Sequence, residues 1–553
     1  MHVSVFGLGR SGLAIAKAAI QLGGSATVYD QSSPDRLAKP EILDEAKALG
    51  ATVVMEWDGV LPDAHMQIED SIELDRKFHY YFHSTTVPTT GEQIVGGPWL
   101  VVNPAVDMRS PILKAAQEKG YEILSEIEFA FRISKAPIIA ITGTNGKSTT
   151  TVMTYLCLRH CGIDAVLCGN IFGSGYPEVP LTEAALNSNP EQILVAEISS
   201  FQLEWVTHFR PVSAGITNIW PDHLDRYDSF EQYAAMKQRI FGAQSPEQFA
   251  VVKANDPVVR APGAQPTNKR RRISTPQPPP HFAAIPGGSQ DSSQAAQNEE
   301  GEPIVLTFGA TGEHARVDER FLTVLDKQIK LDELHFSEPH NLSNASMAAL
   351  LAYGALKGSV ETNPKAKQIV ERAEADSEAK RAAKTNAYNQ RLQEANKPEF
   401  VLPWCILDGL KEFRGIAHRM ELVGEKGGIR VINNSMCTNP DAVLKSATSL
   451  KGPNHVLIGG RNKDLDFRPL KHYFSNGMHH AYVYGEARGQ LSEQIGTDLV
   501  YEKMEDAAHA ALDAARSGEV VMLAPGCAST DQFRDFRDRG DVFKQLAKEW
   551  LEI

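Results

Sequence analysis

At 553 residues the chain is longer than one hydrophobic core usually serves, so several domains are expected. A net charge of −13, with 42% hydrophobic and 23% charged residues, fits a soluble protein and argues against a general nucleic-acid binder. Six cysteines (Cys157, Cys161, Cys168, Cys405, Cys437 and Cys527) form no metal-ligand spacing, and their scarcity fits a reducing compartment where thiols stay free. Met1-His2-Val3 opens without a charged leader and no apolar run approaches bilayer length, so a cytoplasmic protein without membrane contact is expected.

In chain order, residues 2 to 30 read as strand, turn, helix and strand. The turn is Gly7-Leu8-Gly9-Arg10-Ser11-Gly12, and Asp30 closes the second strand. Glycines allow close backbone approach to a diphosphate, and an acid at that distance suits a ribose hydroxyl. The fingerprint alone leaves NAD and any other diphosphate-bearing nucleotide open. Residues 58 to 99 form an insert containing His79-Tyr80-Tyr81-Phe82-His83, read as an aromatic patch because two histidines lack a third ligand. The α/β rhythm resumes at Leu100-Val101-Val102, with a helix after Pro111 and a strand near Ile123.

Residues 138 to 142, bounded by Pro137, read as a buried strand running into Gly143-Thr144-Asn145-Gly146-Lys147-Ser148-Thr149 and then a helix. Such a turn points backbone N–H groups at a polyphosphate seated on a helix N-terminus. Lys147 is expected to reach the terminal phosphates and Ser148 to ligate Mg²⁺. The loop is shortened, since the place of the usual first glycine holds Ile141. ATP is the expected ligand. Polar residues close the strands that follow: Asn170, Glu197, and Asp222 with His223. Ligands of open α/β sheets collect beyond carboxyl strand ends, so these should converge on the loop, with Glu197 and His223 as Mg²⁺ ligands. Lys237 falls on a helix soon after.

Residues 262 to 303, rich in Pro, Gln, Ser and Gly, read as a disordered insert. A third insert, 359 to 403, carries an Ala/Glu/Lys-rich stretch expected to be an exposed helix or helical hairpin. The C-terminal part alternates strands and helices again, with Arg461-Asn462-Lys463 and Cys527-Ala528-Ser529-Thr530 at strand ends.

The motifs at 143–149, Glu-Ile-Ser-Ser-Phe-Gln-Leu-Glu (197–204) and Asp-His-Leu-Asp-Arg (222–226) resemble the Mur ligases of peptidoglycan synthesis. The segments 340–345, 413–419 and 459–463 extend the resemblance, and Pro525 to Phe533 resembles the branch that adds D-glutamate. The resemblance implies an α/β fold of three domains: a Rossmann-like one at 1–134 for the UDP-sugar, a phosphate-loop ATPase at 135–414, and a Rossmann-like one at 415–553 for the amino acid. It also implies a monomer whose small-molecule substrates are ATP, UDP-muramoyl-L-alanine and D-glutamate. Carried over by position, Gly143 to Thr149, Asn344 and Arg419 contact ATP. Gly7, Leu8, Gly9, Arg10, Ser11, Asp30 and Asn170 contact the UDP-sugar, and Thr438, Lys463, Ser529 and Phe536 the amino acid. Ser148, Glu197, His223 and a carbamylated Lys237 are the implied ligands of two Mg²⁺ ions, and Lys147, Glu197, His223 and Lys237 the implied catalytic set.

The sequence departs from the family at Asn434-Ser435-Met436, where the family has Asp-Ser-Lys, and at Asn103-Pro104-Ala105. Arg461 is a candidate to replace the charge missing at Met436. Alternatives are a folylpolyglutamate-type ligase, an NAD-dependent enzyme fused to an ATPase, or a degenerate nucleotide-binding homologue.

Overall fold

The computed structural model describes residues 2–37, 40–62, 98–223, 226–260, 262, 302–382, 400–450, 452–463 and 465–552. The aromatic patch at 79–83 and nearly all of the 262–303 insert lie outside these residues. The chain forms two compact units, one of residues 1–171 and 177–413, the other of Phe172–Tyr176 and Arg414–Ile553.

The first unit contains two sheets. The smaller joins β1 (His2–Phe6), β2 (Ser25–Tyr29), β3 (Thr52–Val54), β4 (Trp99–Val102) and β5 (Glu122–Ser125) in the order β3-β2-β1-β4-β5. All its pairings are parallel. Its central strand β1 is buried from Val3 to Phe6, Ser4 included, and β4 is buried throughout, as in a parallel sheet covered on both faces. The helix Arg10–Gln21 packs Ala14, Ile15, Ala18 and Ala19 inward. Gly12 is required there, since a Cβ on it would meet the Gly7 carbonyl oxygen at 2.0 Å.

The larger sheet has β6 (Ile138–Thr142), β7 (Asp164–Gly169), β8 (Glu178–Val179), β9 (Gln192–Glu197), β10 (Ser213–Ile216), β11 (Phe249–Lys253), β12 (Ile304–Phe308), β13 (Ala315–Val317), β14 (Phe321–Val324) and β15 (Lys327–Lys330). Their order is β15-β14-β13-β12-β11-β10-β6-β9-β7-β8. β6, buried along its whole length, lies between β10 and β9 and is parallel to both. Thr142 therefore registers with Ile216, and Ile141 with Glu197. Ile141 is fully buried in the strand, so the turn begins only at Gly143, which accounts for the shortened loop.

The phosphate-loop helix Lys147–His160 packs against the long helix Pro339–Gly358 and the short helix Trp404–Leu410. That packing brings Cys161 and Cys405 to a Cα separation of 4.9 Å, and the two form a disulfide. The expectation that all six thiols stay free is thus corrected for this pair; the helix contact holds their backbones within bridging range. Cys157, Cys168, Cys437 and Cys527 are free and buried. Of the third insert, the helix Pro364–Ala382 is described, and it is largely exposed with Ala366 and Val370 buried. Its continuation at 383–399 lies outside the described residues.

The second unit is built on β16 (Glu421–Lys426), β17 (Ile429–Asn433), β18 (Asn454–Gly459), β19 (His480–Tyr484), β20 (Val500–Tyr501) and β21 (Val520–Gly526), in the order β16-β17-β21-β18-β19-β20. β16 runs antiparallel, and the other pairings are parallel. Val456, Ile458, Phe467 and Met522 fill one face; Leu457, Tyr482, Leu523 and Phe543 fill the other. No helix among the described residues is long and apolar enough to cross a membrane.

Candidate active site

The turn after β6 is shaped by two glycines and pinned by the exit of β10. Gly143 has φ +150°, and a Cβ on it would lie 1.9 Å from Thr217 Oγ1. Gly146, at φ +82°, precedes the helix Lys147–His160, and its Cβ would meet Asn344 Oδ1 at 2.6 Å. Asn344 is buried on the helix Pro339–Gly358, so the residue expected to contact nucleotide does stand against the loop.

Asn218 embraces the turn on three sides. Its carbonyl accepts from Thr144 N at 2.9 Å, its Oδ1 from Asn145 N at 3.0 Å, and its Nδ2 donates to Asn145 O at 2.9 Å. Thr217 Oγ1 adds a bond to Asn145 O at 2.6 Å, and Trp220 N donates to Thr144 Oγ1 at 3.0 Å. Thr217 and Asn218 were not among the expected site residues. Their signal was present, as paired polar residues at the exit of the strand in register with Thr142.

Lys147 is half-buried and its Nζ donates to Thr144 O at 3.0 Å; Ser148 and Thr149 follow on the first helical turn, where unpaired backbone N–H groups favour an anion. Lys237 is 2% exposed on the helix Phe230–Gln238, in contrast to the solvated lysine usual on a helix. Its Nζ donates to Gly143 O at 2.9 Å and lies 4.8 Å from the centre of the Tyr233 ring. Burial first, then the Lys147 charge, lower its pKa to about 7, against the opposing pull of Asp222 and Glu197.

Glu197 closes β9 and is 3% exposed. Its Oε1 accepts from Asn170 Nδ2 at 3.3 Å, while its Oε2 is buried with no hydrogen-bond partner. A buried carboxylate oxygen left without a donor is costly unless a cation or a ligand meets it, so this residue fits the implied Mg²⁺. His223 has φ +53°, is exposed, and lies 3.6 Å from Asp222 Oδ2 with its ring against Phe201. Among the described residues, no three His, Cys, Asp or Glu side chains gather as a ready-made metal cage. Protein ligands here would leave room for phosphate oxygens and water, as hard-cation nucleotide sites do.

Two of the motif residues are structural. Arg226 Nη2 meets Glu204 Oε2 at 2.6 Å and its guanidinium covers Phe201 at 4.2 Å. Tyr227 OH donates to the same carboxylate at 3.0 Å. Glu204 is thereby locked to Arg226 and Tyr227.

In the smaller sheet, Asp30 Oδ2 accepts from Leu8 N at 2.7 Å and Oδ1 from Ser32 N at 2.8 Å, so the acid fixes the Gly7–Gly12 turn. Asn103 packs across the same turn, 2.9 Å from where a Gly7 Cβ would stand. Arg10 Nη2 reaches the carbonyls of Gly169 and Ile171, both at 3.3 Å, while Ser11 follows in the first helical turn.

Taken together, 31% of positions are identical to the UDP-N-acetylmuramoylalanine–D-glutamate ligase of Caldanaerobacter subterraneus subsp. tengcongensis, over 98% of this chain and 97% of that protein. The chain belongs to the Mur ligase family. Profiles for the Mur ligase middle domain and the Mur ligase glutamate ligase domain match residues 141–352 and 418–527. A ligase of the same name from Geobacter metallireducens is 30% identical over 98% of this chain and 96% of its own length. Among solved structures, UDP-N-acetylmuramate-alanine ligase MurC of Thermotoga maritima aligns over 99% of each chain with a TM-score of 0.46 and 15% identity. The Mur ligase family consists of ATP-dependent ligases of peptidoglycan synthesis.

In the second unit, the expected amino-acid residues occupy neighbouring strand exits. Thr438 follows β17, Ser529 follows β21 and Lys463 follows β18, while Phe536 opens the helix Phe536–Leu551. Thr438 and Lys463 are exposed and Ser529 is buried. Phe536 meets the Phe172 ring at 5.9 Å, and Arg537 lies over that ring at 4.2 Å. Arg419 donates its backbone N–H to Ile416 O in the turn before β16. At the two altered positions, Asn434 is buried and donates to Ser446 Oγ at 2.8 Å, and Met436 is half-buried with its N–H on His418 O. Arg461 pairs with Glu486 at 3.0 Å on the exposed rim.

Proposed function

We propose that the chain joins D-glutamate to UDP-N-acetylmuramoyl-L-alanine in the cytoplasm, as a monomer, at the expense of ATP. A carboxylate oxygen of the muramoyl-alanine attacks the γ-phosphorus and ADP leaves. The amine of D-glutamate then attacks the acyl carbon of the acyl phosphate, phosphate leaves, and the nitrogen loses its proton to give the amide. On this reading the chain divides at 1–134, 135–414 and 415–553 into donor, ATP and acceptor domains.

The observation that carries the reading is the meeting of unlike charges at the exits of β6, β9 and β10. An anion attacking an anion needs its charge offset, and Lys147 at the helix start supplies a cation for the terminal phosphates. The orphaned oxygen of Glu197, with Ser148 and His223, supports a Mg²⁺ site. Bound there, Mg²⁺ would neutralise the phosphate oxygens and orient them for in-line transfer. Lys237, with a pKa of about 7, has a substantial neutral fraction at physiological pH. Its lone pair can add to the carbon of CO₂ and lose a proton, leaving an anionic carbamate beside Gly143 as a further oxygen ligand. Asn344 and Arg419 are assigned to the nucleotide, the Gly7–Ser11 turn with Asp30 and Asn170 to the UDP-sugar, and Thr438, Lys463, Ser529 and Phe536 to glutamate.

Phosphate release is the test. It is expected only when ATP, UDP-muramoyl-L-alanine and D-glutamate are all present, and hydroxylamine should trap the acyl phosphate when glutamate is omitted. Equal release with L-glutamate or another acceptor would overturn the acceptor assignment. Release with a folate in place of the muramoyl donor would overturn the donor.

A further inference from the structure

The helix Phe536–Leu551 turns Arg539, Gly540, Phe543, Ala547 and Leu551 toward the core. Four of these suit an apolar stripe, and the first is an arginine with no exposed surface. Moving a guanidinium out of water costs several kcal/mol, so its partners matter. Nε donates to Ser435 Oγ at 3.0 Å, Nη2 to Ser435 O at 2.9 Å and Nη1 to Cys527 O at 3.2 Å. Every one of these acceptors is neutral, and among the described residues Arg539 makes no salt bridge with a carboxylate. At contact distance its charge is met by dipoles, while the Asp531 carboxylate acts with opposite sign on the same Tyr484 and Cys527.

The partners are not scattered. β21 lies between β17 and β18, so the exits of these three strands are neighbours. Ser435 stands at the exit of β17, and its Oγ also donates to Phe536 O at 2.6 Å. Cys527 stands at the exit of β21, and Gly526 N donates to Cys437 O at 2.9 Å. Ala528 pairs with Arg461 at the exit of β18. One guanidinium thus spans the loops that carry Thr438 and Ser529 and the first turn that carries Phe536. Its positive field is felt on both loops: burial dominates and leaves the Cys437 and Cys527 thiols raised to about 12, with Arg539 drawing both downward and Asp531 opposing it at Cys527.

We infer that Arg539 is a positioning residue of the acceptor pocket, holding the loops after β17 and β21 in register and supplying a fixed positive charge toward the carboxylates of the incoming amino acid. It does so from behind the pocket wall, without touching the ligand. The inference rests on the proposed acceptor site and adds to it a residue outside that site's own set.

The test compares Arg539→Met, which removes the charge at similar length, with Arg539→Lys, which keeps it. Initial rates on the full chain would give KM for the amino acid and for ATP separately, alongside thermal melts. Arg539→Met is expected to raise the amino-acid KM about 10- to 100-fold with the ATP KM within about twofold, as for a lost interaction with a charged group. Arg539→Lys is expected to recover most of that rise. If Arg539→Met fails to fold, Ser435→Ala reports on the same network, with an expected rise of a few fold in the amino-acid KM alone. A folded Arg539→Met enzyme with an unchanged amino-acid KM, or with both KM values raised in parallel, would overturn the inference. So would parallel KM rises in Ser435→Ala. Lys463→Ala serves as the control: if it also leaves the amino-acid KM unchanged, the acceptor site itself has been misassigned.

Discussion

At the carboxyl edge of the central sheet, the decisive contacts are made to backbone: main-chain groups of Gly143, Thr144 and Asn145 are bonded by Lys237, Thr217 and Asn218, and the two glycines are held by what their missing side chains would strike. At the carboxyl edge of the C-terminal sheet, they run through one side chain, Arg539, whose guanidinium binds two loops at once. The first arrangement suits a ligand recognised by a row of N–H groups, because a triphosphate is the same in every turnover. The second suits an acceptor recognised by charge and shape, because side chains can be exchanged without rebuilding a turn. The difference predicts where substitution should be catastrophic and where it should be graded.

The largest effect is expected at Lys147. Lys147→Ala removes the cation at the start of the loop helix and leaves the backbone cradle intact. Turnover should fall about a thousandfold, in line with losing a preorganised partner of developing charge, with little change in melting temperature. Phosphate release at wild-type rate from the folded variant would break the phosphate-loop half of the comparison.

Lys237→Ala should be nearly as severe, and partly restored by small carboxylic acids that stand in for carbamate oxygens. The pH dependence has a definite sign. An unmodified Lys237 loses its proton near pH 7 in the folded chain, whereas its ordinary value is 10.5. Between those values the unfolded chain binds the additional proton, so this group makes stability rise with pH across that window. Activity should rise through pH 7 as well, and more steeply with added bicarbonate, because only the neutral amine takes up CO₂. A profile indifferent to bicarbonate would rule out the carbamate.

The third test concerns the far end of the loop helix. Glycines fix its start, and the disulfide from Cys161 to Cys405, 244 residues away in sequence, ties its finish. Neither bonded cysteine lies in the second unit. Cys161→Ser, or incubation with dithiothreitol, should cost the first unit about 2–4 kcal/mol, read as a shift in urea midpoint. Superimposable oxidised and reduced unfolding curves would mean the bond contributes nothing.

The same contrast explains what was legible in the sequence. Gly143 to Ser148 could be read because each position answers to a local rule: a left-handed φ, a helix start, a hydroxyl beside it. Glu197 stands out because an apolar strand ends on it, whereas His223 lies seven residues beyond the end of β10 at Ile216. Lys237 was found by resemblance, since nothing in a helical Lys announces that it will be buried. Arg539 was passed over for the same reason. Its stripe shows an arginine among apolar residues, but only the fold reveals that Ser435, 104 residues away, and Cys527, 12 residues away, turn their oxygens toward it. The disulfide was missed because helix packing, and not cysteine spacing, decides it.

The smallest effect is expected at Arg461. From sequence it is a candidate for the charge absent at Met436, standing two residues before Lys463. In the structure its side chain pairs with Glu486 at 3.0 Å, and both partners are about half exposed, at 51% and 56%. Such a rim pair contributes roughly 0–1 kcal/mol, and its cation is already balanced before any ligand arrives. Arg539 differs on both counts, being fully buried and bonded to neutral oxygens with no carboxylate in salt-bridge contact among the described residues. Arg461→Ala should therefore change the amino-acid KM by no more than about fivefold, the factor that 1 kcal/mol allows. A rise equal to that of Arg539→Met would mean that Arg461 leaves Glu486 when the acceptor binds, and the charge of the pocket would then lie on its rim and not behind its wall.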